Sequence, residues 1–324
     1  MIKTSITVAA LSVLAVPAFA QEVTYGSFSL DYSNISPEDG GDVDVTTFDL
    51  EGEGEYTNGQ FLIGAGIAND KFEVEDDFEF TVRTLNVYAG YAITPEALVG
   101  AGYTSINLSE DGFGDEDING FDIFGQYQTG AFGVAVNYSR PDEDFDDFDI
   151  TTFYAQAEVA PGVTLGGIVE SVSDIDEKGY LLSAEYDAGQ IFGRGYYASA
   201  TEQDFAIFGA RGAYRFDQAI SLTGAFETTS GDDFPVDYTA LSVGGEYAFA
   251  PGVAVSARYT NIDSDEGGSA DVFALGLTYE FGARQRLDQN MTDAAFDDLE
   301  TGFVGVQPNI GIGFLSGLQF GGLG

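Results

Sequence analysis

From residue 21 to about residue 282 the chain consists of segments of about ten to thirteen residues in which every second side chain is apolar. That period belongs to a strand with one oily face. In AFGVAVNYSR, for example, Phe132, Val134, Val136 and Tyr138 share one face while Gly133, Ala135, Asn137 and Ser139 share the other. A 3.6-residue period is hard to find before residue 283.

The connections fall into two alternating classes. Acidic loops are expected at 35–43, 70–78, 109–118, 141–147, 173–178, 201–204, 230–236 and 263–270. Between them lie tight turns: TNG at 57–59, TPE at 94–96, TG at 129–130, APG at 160–162, AG at 188–189, DQA at 217–219 and APG at 250–252. Eight loops and seven turns separate sixteen strands. In an antiparallel meander every second connection lies at one end of the sheet, so the acids collect at one end and the short turns at the other. Even strand number, short turns on one side and longer loops on the other describe an all-β transmembrane barrel of the outer-membrane type, with sixteen antiparallel strands. Strands of this length, tilted, match the hydrocarbon thickness, and closure leaves no unpaired edge in lipid. Soluble sandwiches and propellers also alternate, but they do not call for this asymmetry.

The first twenty residues carry the marks of a secretory signal: Lys3, the apolar run ITVAALSVLAV, and AFA at 18–20 as a small-x-small cleavage site. The expected division is therefore a signal peptide at 1–20, a barrel at 21–282 and a tail at 283–324. Once Lys3 is removed, 54 acids face 10 bases, a charge of about −44. Such a polyanion excludes nucleic acid, whose binding draws on counterion release by cations. With 44% apolar and 14% aromatic residues the chain is nevertheless built to fold. It has no cysteine and no histidine, so disulfides, zinc sites and histidine-based triads are excluded. The mature chain contains no run of eighteen apolar residues to make a membrane helix.

VFALGLTYEF, at 272–281, resembles the closing strand of outer-membrane barrels, with Gly276 followed by Tyr279 and Phe281 on one face. With sixteen aromatic-rich strands and a mature start of QEVTYGSFSLDY, the chain resembles a Gram-negative general porin of the alphaproteobacterial kind. The resemblance implies recognition of the closing strand by the barrel assembly machinery, a homotrimer in the outer membrane, and passive diffusion of small hydrophilic solutes. Two departures stand out. The third external loop, long and folded into the pore in that family, is here only SEDGFGDEDI at 109–118, and a tail of 42 residues follows the closing strand.

Assigning the more apolar face of each strand to lipid turns Asp49, Glu51, Glu53 and Glu55 of the second strand into the lumen as a carboxylate ladder. The same parity turns Arg194, Arg211 and Arg215 inward on strands eleven and twelve, nearly opposite the ladder, and Arg258 inward on strand fifteen. Acidic and basic walls facing each other would orient polar solutes; the plainer reading is a solvated wall with local ion pairs. The acidic loops enrich cations at the mouth, and their carboxylates suit calcium or magnesium bridging to lipopolysaccharide. DEDING at 115–120 matches the first half of an EF-hand loop at Asp115, Asp117 and Asn119, but position twelve is Gln126 and a strand follows, leaving only weak calcium capture there.

After Gly282 the texture changes. RQRLDQNMTDAAFDDLE, at 284–300, has helical spacing, and a glycine-rich apolar stretch follows. Starting from the turn end, the tail could hang free, dock beneath the pore, enter the lumen, or add two strands. Passive diffusion needs no catalytic residue and suits a barrel this wide. A barrel-embedded enzyme usually relies on a histidine that this chain lacks, whereas a structural barrel closed by its own tail is the alternative class.

Overall fold

The computed structural model describes residues 23–37, 44–74, 78–110, 114–141, 149–173, 177–201, 205–231, 237–264 and 268–298. Its first eight strands are β1 (Tyr25–Pro37), β2 (Val45–Thr57), β3 (Phe61–Val74), β4 (Phe78–Thr94), β5 (Ala97–Glu110), β6 (Gly114–Gln128), β7 (Phe132–Pro141) and β8 (Ile150–Ala160). The second eight are β9 (Val163–Val172), β10 (Glu177–Asp187), β11 (Ile191–Ala200), β12 (Phe205–Arg215), β13 (Ile220–Gly231), β14 (Tyr238–Ala250), β15 (Val253–Ser264) and β16 (Gly268–Gly282). Among the described residues one helix, α1 (Leu287–Asp298), follows. Each strand pairs antiparallel with its neighbours in sequence, and β1 pairs with β16 to close a sixteen-stranded barrel.

Alternation fixes which side faces out. Ile63, Ile93, Phe121 and Leu182 are each about 60% exposed, and every strand contributes such residues at the same parity. An outer band of exposed large hydrophobics this extensive suits hydrocarbon rather than water. The tight turns explain themselves locally. In both Ala-Pro-Gly turns proline presets the first central position, and Gly162 and Gly252 take φ of 73° and 74°, the left-handed value a type II turn requires. A Cβ there would lie 2.3 Å from the Asp187 carbonyl oxygen and 2.0 Å from that of Glu280, so the next hairpin can pack against the turn only if the residue is glycine.

Three expected loops, at 70–78, 109–118 and 263–270, are strand over more than half of their residues. At 70–78, β3 runs on to Val74 and β4 begins at Phe78, because Phe72 pairs with Phe80 and Lys71 bridges to Glu79 at 3.0 Å. At 109–118, β5 reaches Glu110 and β6 starts at Gly114, with Ile106 opposite Ile118 and the Asn107 amide donating to Asp117 at 2.8 Å. Acids alternating with apolar residues satisfy a strand as readily as a loop. The signal segment, the central residues of all eight acidic loops and the stretch from 299 onward lie outside the described residues.

Candidate functional site in the barrel lumen

Tyr25 pairs with Gly282 and Glu55, so the first strand starts, and the last strand ends, at the turn end of the barrel. From there the tail enters the lumen. One continuous row of cross-strand partners receives it: Tyr25, Glu55, Gly64, Tyr88, Gly102 and Asp122, on β1 to β6. The glycines in that row make room for its side chains. A Cβ at Gly64 would fall 2.1 Å from the Tyr88 ring, and one at Gly102 would fall 2.2 Å from an Asp122 carboxylate oxygen. Tyr88 therefore lies flat across β3, with its hydroxyl 2.7 Å from Glu55 and 2.9 Å from Glu53. The arrangement recurs on the far side, where Tyr196 lies over Gly209 and donates to Glu227, which also accepts from Tyr238 at 2.8 Å.

The tail engages this row residue by residue. Arg284 forms a close ion pair with Glu53 and stacks 5.2 Å from the Tyr25 ring centre. The Gln285 backbone N–H donates to Glu55 at 2.8 Å. Arg286 is 2% exposed, sandwiched between the rings of Phe124 at 3.9 Å and Tyr88 at 4.9 Å, and paired with Asp288 and with Asp122 at 3.5 Å. Gln126 of the wall accepts from the Leu287 N–H at 2.8 Å and donates to the Gln285 carbonyl at 2.7 Å, satisfying a helix-start donor that has no partner within the helix. Asp288 in the first turn, where a negative charge suits the helix dipole, accepts from Asn137 at 3.2 Å. Burial alone would raise the Asp288 carboxyl, but the Arg286 guanidinium, the Asn137 amide and the helix backbone outweigh it and hold it below the usual carboxylate range.

The helix then covers an apolar strip of inner wall. Ala135, Tyr154, Ile168, Leu181, Ala198 and Ile207 form one row of partners from β7 to β12, and Leu287 and Met291 pack into the same buried cluster. Between α1 and this wall, towards the turn end, lies a cavity of about 320 Å³ that includes Glu185, Arg194, Asn290 and Met291.

The candidate residues read from the sequence fall as follows. On β2 the ladder faces inward: Glu53 and Glu55 are taken by the tail, Glu51 accepts from Ser29 at 3.4 Å, and Asp49 accepts from Thr47 at 3.5 Å. Arg194 and Arg211 are direct register partners, and Arg194 pairs with Glu185 at 3.3 Å. Arg211 and Arg215 flank the Phe192 ring at 5.7 and 5.8 Å, and Arg215 sits at the turn end on Asp187 at 3.0 Å. Arg258 faces inward and is exposed. Gly276 faces inward against Asp31 and Ser256, while Tyr279 and Phe281 share the outer face with rings 5.7 Å apart. Asp115, Asp117 and Asn119 take alternate positions of a straight strand, where Asn119 accepts from Tyr103 at 2.8 Å. Arg286, Asp122, Asp288, Tyr88 and Gln126 went unrecognised as site residues in the sequence.

Among solved structures, OccAB3 of Acinetobacter baumannii is similar at a TM-score of 0.56 and 10% identity, covering 81% of this chain and 99% of its own. OccK5 (OpdH) of Pseudomonas aeruginosa is similar at 0.55 and 10% identity, over 81% and 98%. A mutant of Rh. blastica porin is similar at 0.51 and 15% identity, over 80% and 100%. The fold is that of an outer-membrane porin. At these identities the likeness is one of fold. No protein-family model matches the sequence, and no curated protein does. In this porin-type barrel the lumen is occupied from the C-terminal side, by α1 and the residues that lead into it.

Proposed function

We propose that this protein is an outer-membrane porin, a passive diffusion channel for ions and small hydrophilic solutes that prefers cations. The observation that carries the reading is a closed sixteen-stranded barrel with a lipid-type outer face and a lumen wall of carboxylates, arginines and hydroxyls. Acids outnumber bases 54 to 11 over the whole chain, and a negative potential of this kind concentrates cations most strongly at low salt. Residence in the outer membrane after export by residues 1–20, contact with lipopolysaccharide through loop-bound calcium or magnesium, delivery by the barrel assembly machinery and a homotrimeric state belong to the same proposal. So does a kinship with alphaproteobacterial general porins. No catalytic role is assigned to any residue.

The test is planar-bilayer recording of the full-length protein in a salt gradient. Stable steps with a reversal potential on the cation side support the proposal, and a reversal potential at zero or on the anion side removes cation preference. A second reading is favoured by one observation, the burial of Arg286 and Leu287 in the lumen. It is a structural or lipopolysaccharide-binding barrel closed by its own tail, and the absence of any current from correctly folded full-length protein would select it.

A further inference from the structure

Carboxylates stand side by side on the inner wall at one level of the barrel. Asp31 of β1 is the register partner of Asp49 on β2, and Asp49 is the register partner of Asp70 on β3. Asp70 is 1% exposed, and neither of its carboxylate oxygens has a hydrogen-bond partner. Asp49 Oδ1 has none either, while its other oxygen accepts from Thr47 at 3.5 Å. Asp31 turns the other way, for a Cβ at Gly276 would lie 2.5 Å from its Oδ1. The wall around Asp70 offers no donor: its second register partner is the buried Val82, and Ala68 and Phe72 flank it on the same face. Diagonally next to it on β4, Thr84 is also buried, and its hydroxyl oxygen lacks a partner too.

A buried carboxylate left unpaired is costly, so a charged Asp70 requires a positive partner. No side chain of the protein supplies one. Apart from Lys3, every lysine and arginine of the chain is among the described residues, and none of them pairs with Asp49 or Asp70. Residues 299–324 contain neither lysine nor arginine, so the rest of the tail brings no positive side chain to the pair. We infer that Asp49 and Asp70 hold a calcium ion against the inner wall of β2 and β3. Two carboxylates balance the charge of a divalent ion, and oxygen is the ligand it prefers. Calcium tolerates an irregular shell, whereas magnesium demands a near-octahedral one. Among the described residues no group of three acids is arranged to hold a metal ion, so this pair carries the charge, and the Thr84 hydroxyl and water complete the shell. A proton shared by the two acids would engage one donor and one acceptor and leave the third unpartnered oxygen unmatched; a cation takes all three. The site ties β2 to β3, lies apart from the centres of the acidic loops, and goes beyond the channel reading, since it holds whether or not the barrel conducts.

The acidic loops also attract calcium, so the experiment compares variants. Thermal unfolding of the full-length protein in detergent is followed after EDTA treatment and then across a calcium titration. The unsubstituted protein is measured beside Asp70→Asn, Asp49→Asn and, as a control at a loop end, Asp117→Asn. Calcium is expected to raise the unfolding temperature of the unsubstituted protein and of Asp117→Asn, because an ion that binds the folded state stabilises it. That gain is expected to vanish in Asp70→Asn and Asp49→Asn. Without calcium, Asp70→Asn is expected to unfold above the unsubstituted protein, since it removes an uncompensated charge. Asp49→Asn, at the less buried position, carries the test if Asp70→Asn fails to assemble. A calcium gain kept in full by the Asp70 or Asp49 variant would put the ion at the loops and overturn the inference. No calcium gain in the unsubstituted protein would overturn it as well, and leave a shared proton as the partner of the pair.

Discussion

Arg286 is the residue on which the lumen arrangement turns. It is buried between two rings and faces Asp122 and Asp288, which are buried with it. Removing one member of a buried charge set leaves the others uncompensated, typically at about 3–5 kcal/mol. Arg286→Gln should therefore release the tail and expose the bond after Arg284 to trypsin, while the barrel stays closed. Limited proteolysis read by mass spectrometry checks this, and an unchanged cleavage rate would deny Arg286 its anchoring role. Gly64 makes a separate claim at this scale. A larger residue there meets the Tyr88 ring, and overpacking of this kind costs about 1–3 kcal/mol. Gly64→Leu should lower the unfolding temperature of the barrel in detergent, whereas Gly193→Leu, with nothing within 4 Å of its Cβ, should not.

The helix as an element is held by a buried ion pair and by an apolar face, and the two respond to different perturbations. Because Asp288 is held below the ordinary carboxylate value of about 3.9, its contribution to docking is fully present above that value and is lost as pH falls through the lowered one. Protection of the α1 amides, corrected for the intrinsic pH dependence of exchange, should fall as pH drops below about 4; protection unchanged at lower pH would contradict this. Leu287→Ala removes the other hold, at about 2–5 kcal/mol for a buried leucine. It should raise hydrogen exchange of the α1 amides at neutral pH, where the ion pair remains intact. Much of this element was legible in part. The spacing in 284–300 predicted a helix, and the helix forms over 287–298. Its seat was not legible, because Arg284 meets Glu53 across 231 positions and Asn137 meets Asp288 across 151. One signal was present all the same: Ile168, Leu181 and Ile207 are large apolar residues on the face turned away from lipid, which a water-filled lumen would not favour.

At the scale of the whole molecule the strand number, closure and facing of the sheet could be read from the sequence, because a period of two with one lipid-facing side admits only one register parity per strand. Loop boundaries were less legible: Phe72 opposite Phe80 and Ile106 opposite Ile118 carry their hairpins into stretches whose acidity suggested loops. The candidate site was legible as a set of inward charges, but not as a set of partners. Glu53 and Glu55 belong to the tail, and Arg194 to Glu185, since short local pairs and a helix between the walls compete with any field across the open lumen. What results is a wide barrel narrowed on one side by its own C-terminal helix. The most direct measurement of that account is single-channel conductance of the full-length chain beside a chain ending at Phe281, in the same bilayer and salt. Current through both, larger in the shorter chain, is the result the structure predicts. Equal conductance in the two would show that the helix does not narrow the path and would contradict the account.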